Sequence, residues 1–459
     1  MTWSYIIHFG IISSALLLAS FLRTKIAILK KYLIPSSILG GFFVFFFYNY
    51  FAKNFGLNTL FLEELIYHLL NISFIAMMLR PEITDKKIKN KNAVSKNVTA
   101  IILQYGFQTT AGLLFVLALF YTIKPDIFLA MGLNLALGFE LGPGQAYSVT
   151  KIWEGMGFTN GGSFALAMSA TGFIIGSIGG VILINIGVKQ KWFNADKVKY
   201  TEEIKKKKIE ESSELYSLDA LTYHFALVFG TYLLSYVGLS FISYLLAFIG
   251  PLGVEFADSL WGVNFIFSSL TALVVKKFCK NLNLLPDMSE NIFSRISGLS
   301  VDFTVAASLG AISVVAISTY WLELISLSII GIIITVIILP WYCSRLFKDE
   351  NAFERTILLY GTATGTLPTG LSLLRIVDPE FETPAATDYM YASGVVFGLV
   401  IPLILAINLP AAAYVEGSLT KFFAMLAFCA LYLVVATLFY IKLAKKNAFL
   451  NSKKLWLTK

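Results

Sequence analysis

The chain has 459 residues, of which 57% are hydrophobic and only 14% are charged. A water-soluble domain of this composition would have too little polar surface to cover its core, so we interpret the chain as a polytopic membrane protein. The net charge of +8 does not indicate nucleic-acid binding, because the basic residues are divided among short loops, a charged linker and the C-terminal tail.

The first half of the chain contains five predicted membrane helices and one interrupted segment. Apolar runs predict these helices at residues 3–22, 34–51, 65–79, 98–121 and 162–188. Within residues 134–153, an apolar helix is broken by Gly-Pro-Gly at positions 142–144 and then resumes. Non-helical backbone at membrane depth is tolerated where it is buried in protein or lines a watery cavity, so the break predicts a binding site of a transporter.

The second half repeats this arrangement after a polar linker. Helices are predicted at residues 218–249, 260–275, 296–317, 321–342 and 389–409. A second interrupted segment, with the sequence YGTATGTLPT at residues 360–369, lies between the last two of these helices. One further helix, at residues 419–443, precedes a basic tail. The two halves therefore each have five crossings and one broken segment.

The distribution of basic residues predicts the orientation. Basic loops follow every second helix, which places the N-terminus outside, the C-terminus in the cytoplasm and the protein in the cell (inner) membrane. Because five crossings is an odd number, the second half enters the membrane in the opposite sense. The predicted fold is an all-α polytopic membrane protein in which two inverted five-helix repeats each carry a broken or re-entrant glycine-rich hairpin, plus an extra C-terminal transmembrane helix. The predicted domains are residues 1–187, 188–217 (the cytoplasmic linker), 218–409 and 410–459.

Oxygen-bearing side chains near the breaks predict a cation site. A carboxylate inside hydrocarbon costs about 3 kcal/mol or more, so an acid in an apolar helix is expected to be a ligand or to be paired. Sodium, as a hard cation, takes oxygen ligands. The predicted cation-binding residues are Glu140, Asp302, Thr362 and Thr364. Two alternatives remain open: Glu140 can pair with Lys151 or lie in a loop, and each threonine hydroxyl can bond the carbonyl one turn back.

The residues around both breaks are also predicted to bind a small carboxylate. Glycines let the backbone approach a ligand, helix N-termini favour anions, and a guanidinium can bind a carboxylate through two bonds. The predicted substrate-binding residues are Gly142, Gly144, Gln145, Ser148, Lys151, Gly365, Thr366, Thr369 and Arg375. As alternatives, Lys151 can extend to the membrane interface and Arg375 can be a plain topological anchor.

No enzyme motif is present in the sequence. There is no GxSxG, HExxH or phosphate-binding loop, and the three cysteines and three histidines lack metal-ligand spacing. An enzyme acting within the membrane is therefore disfavoured, and no cofactor beyond a coupling ion is expected. A purely structural scaffold is disfavoured because it has no use for two broken segments.

Four stretches of the sequence resemble the sodium/glutamate symporter family. They are KKYLIPSSILGG at residues 30–41, the break at 142–144 followed by Lys151, GFTN at 157–160 and GTATGTLPTG at 361–370. The resemblance implies inverted five-helix repeats, sodium-coupled glutamate import and a homodimer. The chain resembles a divergent member, since Pro143, Ala146 and Ala363 depart from the family's glycine motifs and Glu140 stands where the family has a small or hydroxyl residue.

The predicted function is secondary active transport. The simplest form is sodium-coupled symport of glutamate or a similar small carboxylate across the lipid bilayer. The alternative is a proton-coupled or exchange carrier for another organic anion. Replacement of the sodium gradient by a pH gradient distinguishes the two.

Overall fold

The computed structural model describes residues 3–26, 29, 35–81, 91–193, 219–248, 250, 253–254, 257, 260–261, 264–281, 288–349, 351–365, 367–378 and 383–457. Within these ranges the chain is helical and contains no strand. Nine helices of the described part are long and apolar enough to cross a membrane. The prediction of an all-α, multi-pass membrane protein is therefore confirmed. Most of the predicted linker, residues 194–217, lies outside the described ranges.

We number the helices α1 to α15. Their bounds are Ser4–Lys25 (α1), Ser36–Tyr50 (α2), Leu60–Leu79 (α3), Lys91–Thr122 (α4), Leu129–Leu141 (α5), Pro143–Glu154 (α6), Gly161–Lys189 (α7), Ala220–Ala247 (α8), Asn264–Asn281 (α9), Glu290–Ala311 (α10), Trp321–Leu346 (α11), Ala352–Thr362 (α12), Leu367–Val377 (α13), Ala385–Glu416 (α14) and Thr420–Ala444 (α15). The eleven predicted helices correspond to α1–α4, α7–α11, α14 and α15. Wide π-helical turns interrupt α7 at Ile175–Gly179 and α11 at Ile333–Ile338.

The helices pack in two groups, and each group takes helices from both halves of the chain. In the first, which we call the support unit, α10 packs along α2 and α3, and α9 packs on α3 and α8. In the second, which we call the hairpin unit, α4 is flanked by α14 and α15, and one large apolar core joins α4–α7 to α11–α15. The support unit comprises α1–α3 and α8–α10.

Each broken segment forms a helical hairpin within the hairpin unit. In the first hairpin, α5 and α6 run antiparallel: the Thr150 hydroxyl donates to Asn134 Oδ1 at 2.9 Å, and the rings of Phe128 and Trp153 lie 6.0 Å apart. In the second hairpin, α12 and α13 pack along each other. The breaks at the two tips are therefore brought into the interior, while both ends of each hairpin lie at its base.

The residues after α15 pack against the base of the second hairpin. Arg345, which is fully buried, donates from Nη2 to the carbonyl oxygens of Asn451 and Lys454, both at 2.8 Å. The ring of Trp456 lies 5.5 Å from that of Phe353, at the start of α12. The tail is thus part of the packed hairpin unit.

Candidate functional site

The first break is set by one glycine followed by one proline. Gly142 has φ 85° and ψ 176°, a conformation that glycine adopts at low cost and other residues rarely adopt. Pro143 then begins α6, where its missing N–H is not needed and its fixed φ suits the first helical turn. The sequence Gly-Pro therefore ends one helix and starts the next within a single residue, and the N-terminus of α6 is left facing the interior.

The tips of the two hairpins meet on α7. A Cβ atom placed on Gly172 would lie 2.8 Å from the carbonyl oxygen of Thr364 and 3.4 Å from Cα of Phe139. Phe139 precedes Glu140 in the first tip, and Thr364 belongs to the second. Gly176 lies one turn further along α7. A Cβ atom placed on it would lie 2.7 Å from the hydroxyl oxygen of Thr364. A glycine face on α7 therefore allows both breaks to approach one helix together.

A cavity of about 680 Å³ lies between the hairpin unit and the support unit. The hairpin unit contributes Tyr105, Glu140 and Gln145 to its lining. The support unit contributes Ser73 and Ser297, whose hydroxyls lie 3.0 Å apart. The volume falls within the range of about 300–1,000 Å³ that is usual for small-molecule sites. The cavity is largely apolar with a few convergent polar groups, which is the character of such sites.

Several buried polar atoms at the first break have no partner. Glu140 Oε1, Gln145 Oε1 and Ser148 Oγ make no hydrogen bond within the described part of the chain. Buried polar groups are bonded in the great majority of cases, and an unpaired one costs about 1–3 kcal/mol. Three unpaired oxygens within nine residues of one break mark the places where a ligand, an ion or water would be stabilised.

The structure brings most of the predicted residues of the first break together. Glu140, Gly144 and Gln145 line the cavity, and Gly142 lies between them in the chain. Gly144 approaches the support unit closely, since its ideal Cβ position is 2.8 Å from Cδ1 of Leu70. Ser148 is buried one turn further along α6.

The second break contributes to the site in a different way. Thr362 lines a small cavity of about 20 Å³ together with Glu140, and its hydroxyl donates to the Leu359 carbonyl at 3.0 Å. The Thr364 hydroxyl donates to the Tyr360 carbonyl at 2.8 Å, so the alternative of a bond one turn back is the one the structure contains. Gly365 lies against Phe173 of α7, and Thr369 is buried beside it. Thr366 lies outside the described residues.

Three predicted residues lie away from the cavity. Lys151 pairs with Glu63 at 3.0 Å and with Glu154 at 2.8 Å rather than with Glu140. Asp302 is exposed on α10 and lies beside Ser37. Arg375 is exposed on α13. None of the three is among the residues that line the cavity.

Sequence reasoning missed the cationic residues that line the cavity. Arg80, at the end of α3, and Lys276, on α9, both line it, and Arg80 Nε is buried without a hydrogen-bond partner in the described ranges. Arg80 begins a basic loop after α3, where positive charge satisfies the topology rule, so its charge alone does not indicate a binding site. The available signal is that Arg80 directly follows SFIAMML at residues 73–79, which resembles DFTVAASL at residues 302–309 of α10 and so marks α3 and α10 as corresponding helices of the two halves.

The two ends of the cavity differ. Arg80 and Lys276 lie in its lining, whereas Glu63 and Lys151 do not. Glu63 and Arg80 stand at opposite ends of α3, a 20-residue helix about 30 Å long. At the Glu63 end the two units are joined by the Lys151 ion pair and by the Tyr147 hydroxyl, which donates to Glu63 Oε2 at 2.5 Å. The cavity therefore extends toward the Arg80 end.

The comparison with known proteins identifies one family. The family model described as sodium/glutamate symporter matches residues 4–369, which span α1 to the first turn of α13 and include both breaks. Neither the search of curated proteins nor the search of solved structures found a match.

Proposed function

The chain belongs to the sodium/glutamate symporter family, a family of transporters, and from this premise we propose that it couples the uptake of a small carboxylate, most simply glutamate, to sodium. The observation that carries the proposal is the cavity between the two units, because it is lined by the first break and by helices of both halves. A transporter needs a small-molecule site at the meeting point of its repeats.

The repeats are proposed to be inverted. Residues 1–187 and 218–409 would form the two repeats, residues 188–217 the cytoplasmic linker, and residues 410–459 the added helix and tail. The composition of each unit from helices of both halves supports this division, as does the packing of α3 against α10. Both hairpins are proposed to be re-entrant, with their tips at mid-membrane.

The substrate carboxylate is proposed to bind at the N-terminus of α6. Gly142 and Gly144 let the backbone approach it, and the helix end favours an anion. Arg80 and Lys276 add positive charge to the lining of the same cavity. Sodium is proposed to bind at the unpaired oxygens of Gln145 and Ser148, which are hard ligands.

The negative charge that balances the sodium ion is assigned to Glu140, the only carboxylate that lines the cavity among the described residues. The orientation follows from the positive-inside rule, with the N-terminus outside and the C-terminus in the cytoplasm. The cavity would then open to the cytoplasm, and the Glu63–Lys151 contact would close the outer side. A homodimer is proposed from the family; measurement of the mass in detergent by light scattering tests it.

Uptake by proteoliposomes tests the function. Purified protein is reconstituted, and uptake of labelled glutamate and of other amino and dicarboxylic acids is measured with an imposed sodium gradient, with potassium replacing sodium as the control. We expect accumulation only with inward sodium. No sodium-dependent uptake of any of these acids would refute the proposal.

A proton-coupled or exchange carrier is the second candidate, and Glu140 is the observation that favours it. One oxygen of its carboxylate is buried without a hydrogen bond from any described residue, and the side chain lines the cavity, which suits a group that gains and loses a proton. Uptake driven by an inward pH gradient in the absence of sodium would select this candidate over the first.

A further inference from the structure

The cavity between the two units is longer than a small carboxylate needs. Its lining on α14 extends from Thr387 to Ile404, and its lining on α3 extends from Leu70 to Arg80. At the rise of an α-helix these stretches are about 25 Å and about 15 Å long. A small carboxylate held at the N-terminus of α6 would contact only one part of this length, so the cavity has room for an elongated occupant.

The walls along this length are apolar and adaptable. On α3, the lining residues Phe74, Met77 and Met78 lie between Leu70 and Arg80. From the other unit, α14 contributes valine, phenylalanine and isoleucine side chains over several turns. Methionine side chains are flexible and fit irregular apolar ligands. Such walls suit a hydrocarbon chain better than a hydrated ion.

Two glycines leave open space within the cavity. Gly298 on α10 and Gly394 on α14 both line it, and nothing lies within 4 Å of the ideal Cβ position of either glycine. Gly144 lines the same cavity, but its ideal Cβ position is 2.8 Å from Cδ1 of Leu70. The free space therefore lies between α10 and α14 rather than at the packed tip of the first hairpin.

The edge of the cavity is apolar where α9 and α14 border it. Leu273 of α9 lines the cavity although it is 42% exposed, and the neighbouring Val274 is also exposed. On α14, the exposed Val395 stands beside the lining residue Val396. α9 packs on α3 and α8, whereas α14 packs on α4 and α12. Exposed apolar surface of this kind is typical of contact with lipid, so the gap between α9 and α14 faces the hydrocarbon of the bilayer.

One end of the cavity carries positive charge. Arg80 and Lys276 line it, and Arg80 Nε is buried without a hydrogen-bond partner in the described ranges. Lys277 and Lys280 are exposed near the end of the same helix as Lys276. Glu290, at the start of α10, interacts electrostatically with Arg80 but is not among the residues that line the cavity. An arginine and a lysine beside an apolar space between helices suit a phosphate head group.

We propose that this cavity binds an anionic phospholipid. The lipid phosphate binds Arg80 and Lys276, and one acyl chain lies between α10 and α14. The depth agrees, because the wall from Arg80 to Leu70 is about 15 Å long and one leaflet contributes half of a hydrocarbon core of about 30 Å. The positive charge selects an anionic head group over a zwitterionic one, and the apolar edge admits the lipid from the bilayer.

The lipid and the substrate would compete. Arg80 and Lys276 are the cations proposed to attract the substrate carboxylate, and the lipid occupies the space that leads from them to the N-terminus of α6. Bound lipid therefore lowers the affinity for substrate that arrives from the Arg80 end. Only this competition rests on the proposed function; the lipid site itself does not require transport.

Photolabelling tests the site without transport. Purified protein in detergent receives phosphatidylglycerol with a diazirine in one acyl chain, or phosphatidylcholine with the same group, and the labelled peptides are identified by mass spectrometry. We expect the phosphatidylglycerol probe to label α10 and α14, and excess unlabelled phosphatidylglycerol, but not phosphatidylcholine, to suppress the labelling. Equal labelling by the two probes would overturn the anionic site. Suppression by palmitate but not by phosphatidylglycerol would assign the cavity to a free carboxylate and overturn the phospholipid.

Two pairs of variants locate the head group and the chain. Lys276→Gln should lower the affinity for the phosphatidylglycerol probe about tenfold, whereas Lys277→Gln, which changes an exposed residue outside the lining, should change it less than about twofold. Gly394→Leu should block labelling by filling the free space. Its control is Gly230→Leu on α8, because Gly230 is exposed outside the lining with nothing within 4 Å of its ideal Cβ position. Parent-like labelling of Lys276→Gln overturns the head-group contact, and parent-like labelling of Gly394→Leu overturns the chain position.

Binding of labelled glutamate in the presence of sodium tests the competition. Its dissociation constant is measured in phosphatidylcholine nanodiscs with and without phosphatidylglycerol, and we expect phosphatidylglycerol to raise it. A dissociation constant that does not change overturns the competition. Selective labelling in a protein that neither binds nor takes up any of the acids refutes the proposed transport while the lipid site stands, and sodium-dependent uptake with unselective labelling refutes the lipid site alone.

Discussion

The meeting of the two hairpin tips on α7 can be tested by adding one methyl group. In Gly172→Ala the new Cβ would lie 2.8 Å from the Thr364 carbonyl oxygen, 0.6 Å inside the 3.4 Å at which ordinary contact begins. The opposing atom belongs to the backbone of the second tip, so the strain cannot be relieved by a side-chain rotation. The tips must separate or α7 must shift.

The magnitude follows from the cost of overpacking. Inserting a methyl into a well-packed interior costs about 1–3 kcal/mol. A glycine-to-alanine change in a helix also stabilises the helix by up to about 1 kcal/mol, because alanine has the higher helix propensity. A control variant must contain the same gain without the overpacking. Gly398→Ala in α14 is that control, because nothing lies within 4 Å of its ideal Cβ position. If carboxylate binding needs both tips in place, the affinity should fall about 5- to 140-fold relative to Gly398→Ala.

The measurement combines thermal unfolding in detergent with binding of the substrate by the purified protein. Gly172→Ala should unfold at a lower temperature than Gly398→Ala and bind the carboxylate more weakly. Equal unfolding temperatures and equal affinities in the two variants would show that the tips do not meet at α7.

Three other predictions follow from the placement of charged residues. Arg80→Gln should raise the KM for the carboxylate about tenfold, with Vmax little changed, because it removes a charge-assisted bond of about 1.5 kcal/mol or more. An unchanged KM would show that Arg80 does not bind the substrate. Asp302→Asn should change the sodium concentration for half-maximal uptake by less than about twofold, since its side chain lies outside the cavity. Lys151→Met should lower the free energy of unfolding by about 1 kcal/mol or less, because its ion pair with Glu63 is partly exposed. A large increase of the KM in Lys151→Met would contradict this prediction and show that Lys151 contributes to substrate binding.

The helices and both breaks could be predicted because their signals are local. Gly142 and Pro143 within an apolar run predict where one helix ends and another begins, and the structure has the break there. Apolar length likewise locates the helices that can cross a membrane.

The composition of the cavity could not be predicted, because it depends on contacts between distant parts of the chain. Ser73 and Ser297 meet across 224 positions of sequence, and neither is unusual in its own helix. The rule that treats an acid in an apolar helix as functional selected Glu140 and Asp302 equally. Only the direction of each side chain distinguishes them, since Glu140 faces the cavity and Asp302 is exposed.

Lys151 shows a related limit. Lys151 follows the first break by seven residues, so the sequence predicts it near the site. In the structure it lies on the face of α6 that meets the start of α3, whereas another face of α6 lines the cavity. Its partner Glu63 lies in the first turn of a different helix, α3, and nothing in the sequence indicates that these two turns meet. Periodicity along α6 does not reveal which face meets which neighbour.

The contact between the tail and Phe353 has a consequence for biosynthesis. Trp456 covers the base of the second hairpin, and Arg345 is held by carbonyl groups of Asn451 and Lys454. Ribosomes deliver residues in order, so the second hairpin, which ends at Val377, is synthesised about 80 residues before Trp456. The base of the second hairpin is therefore completed only when the tail has been made, and a chain that stopped after α15 would leave uncovered the face of Phe353 on which Trp456 packs.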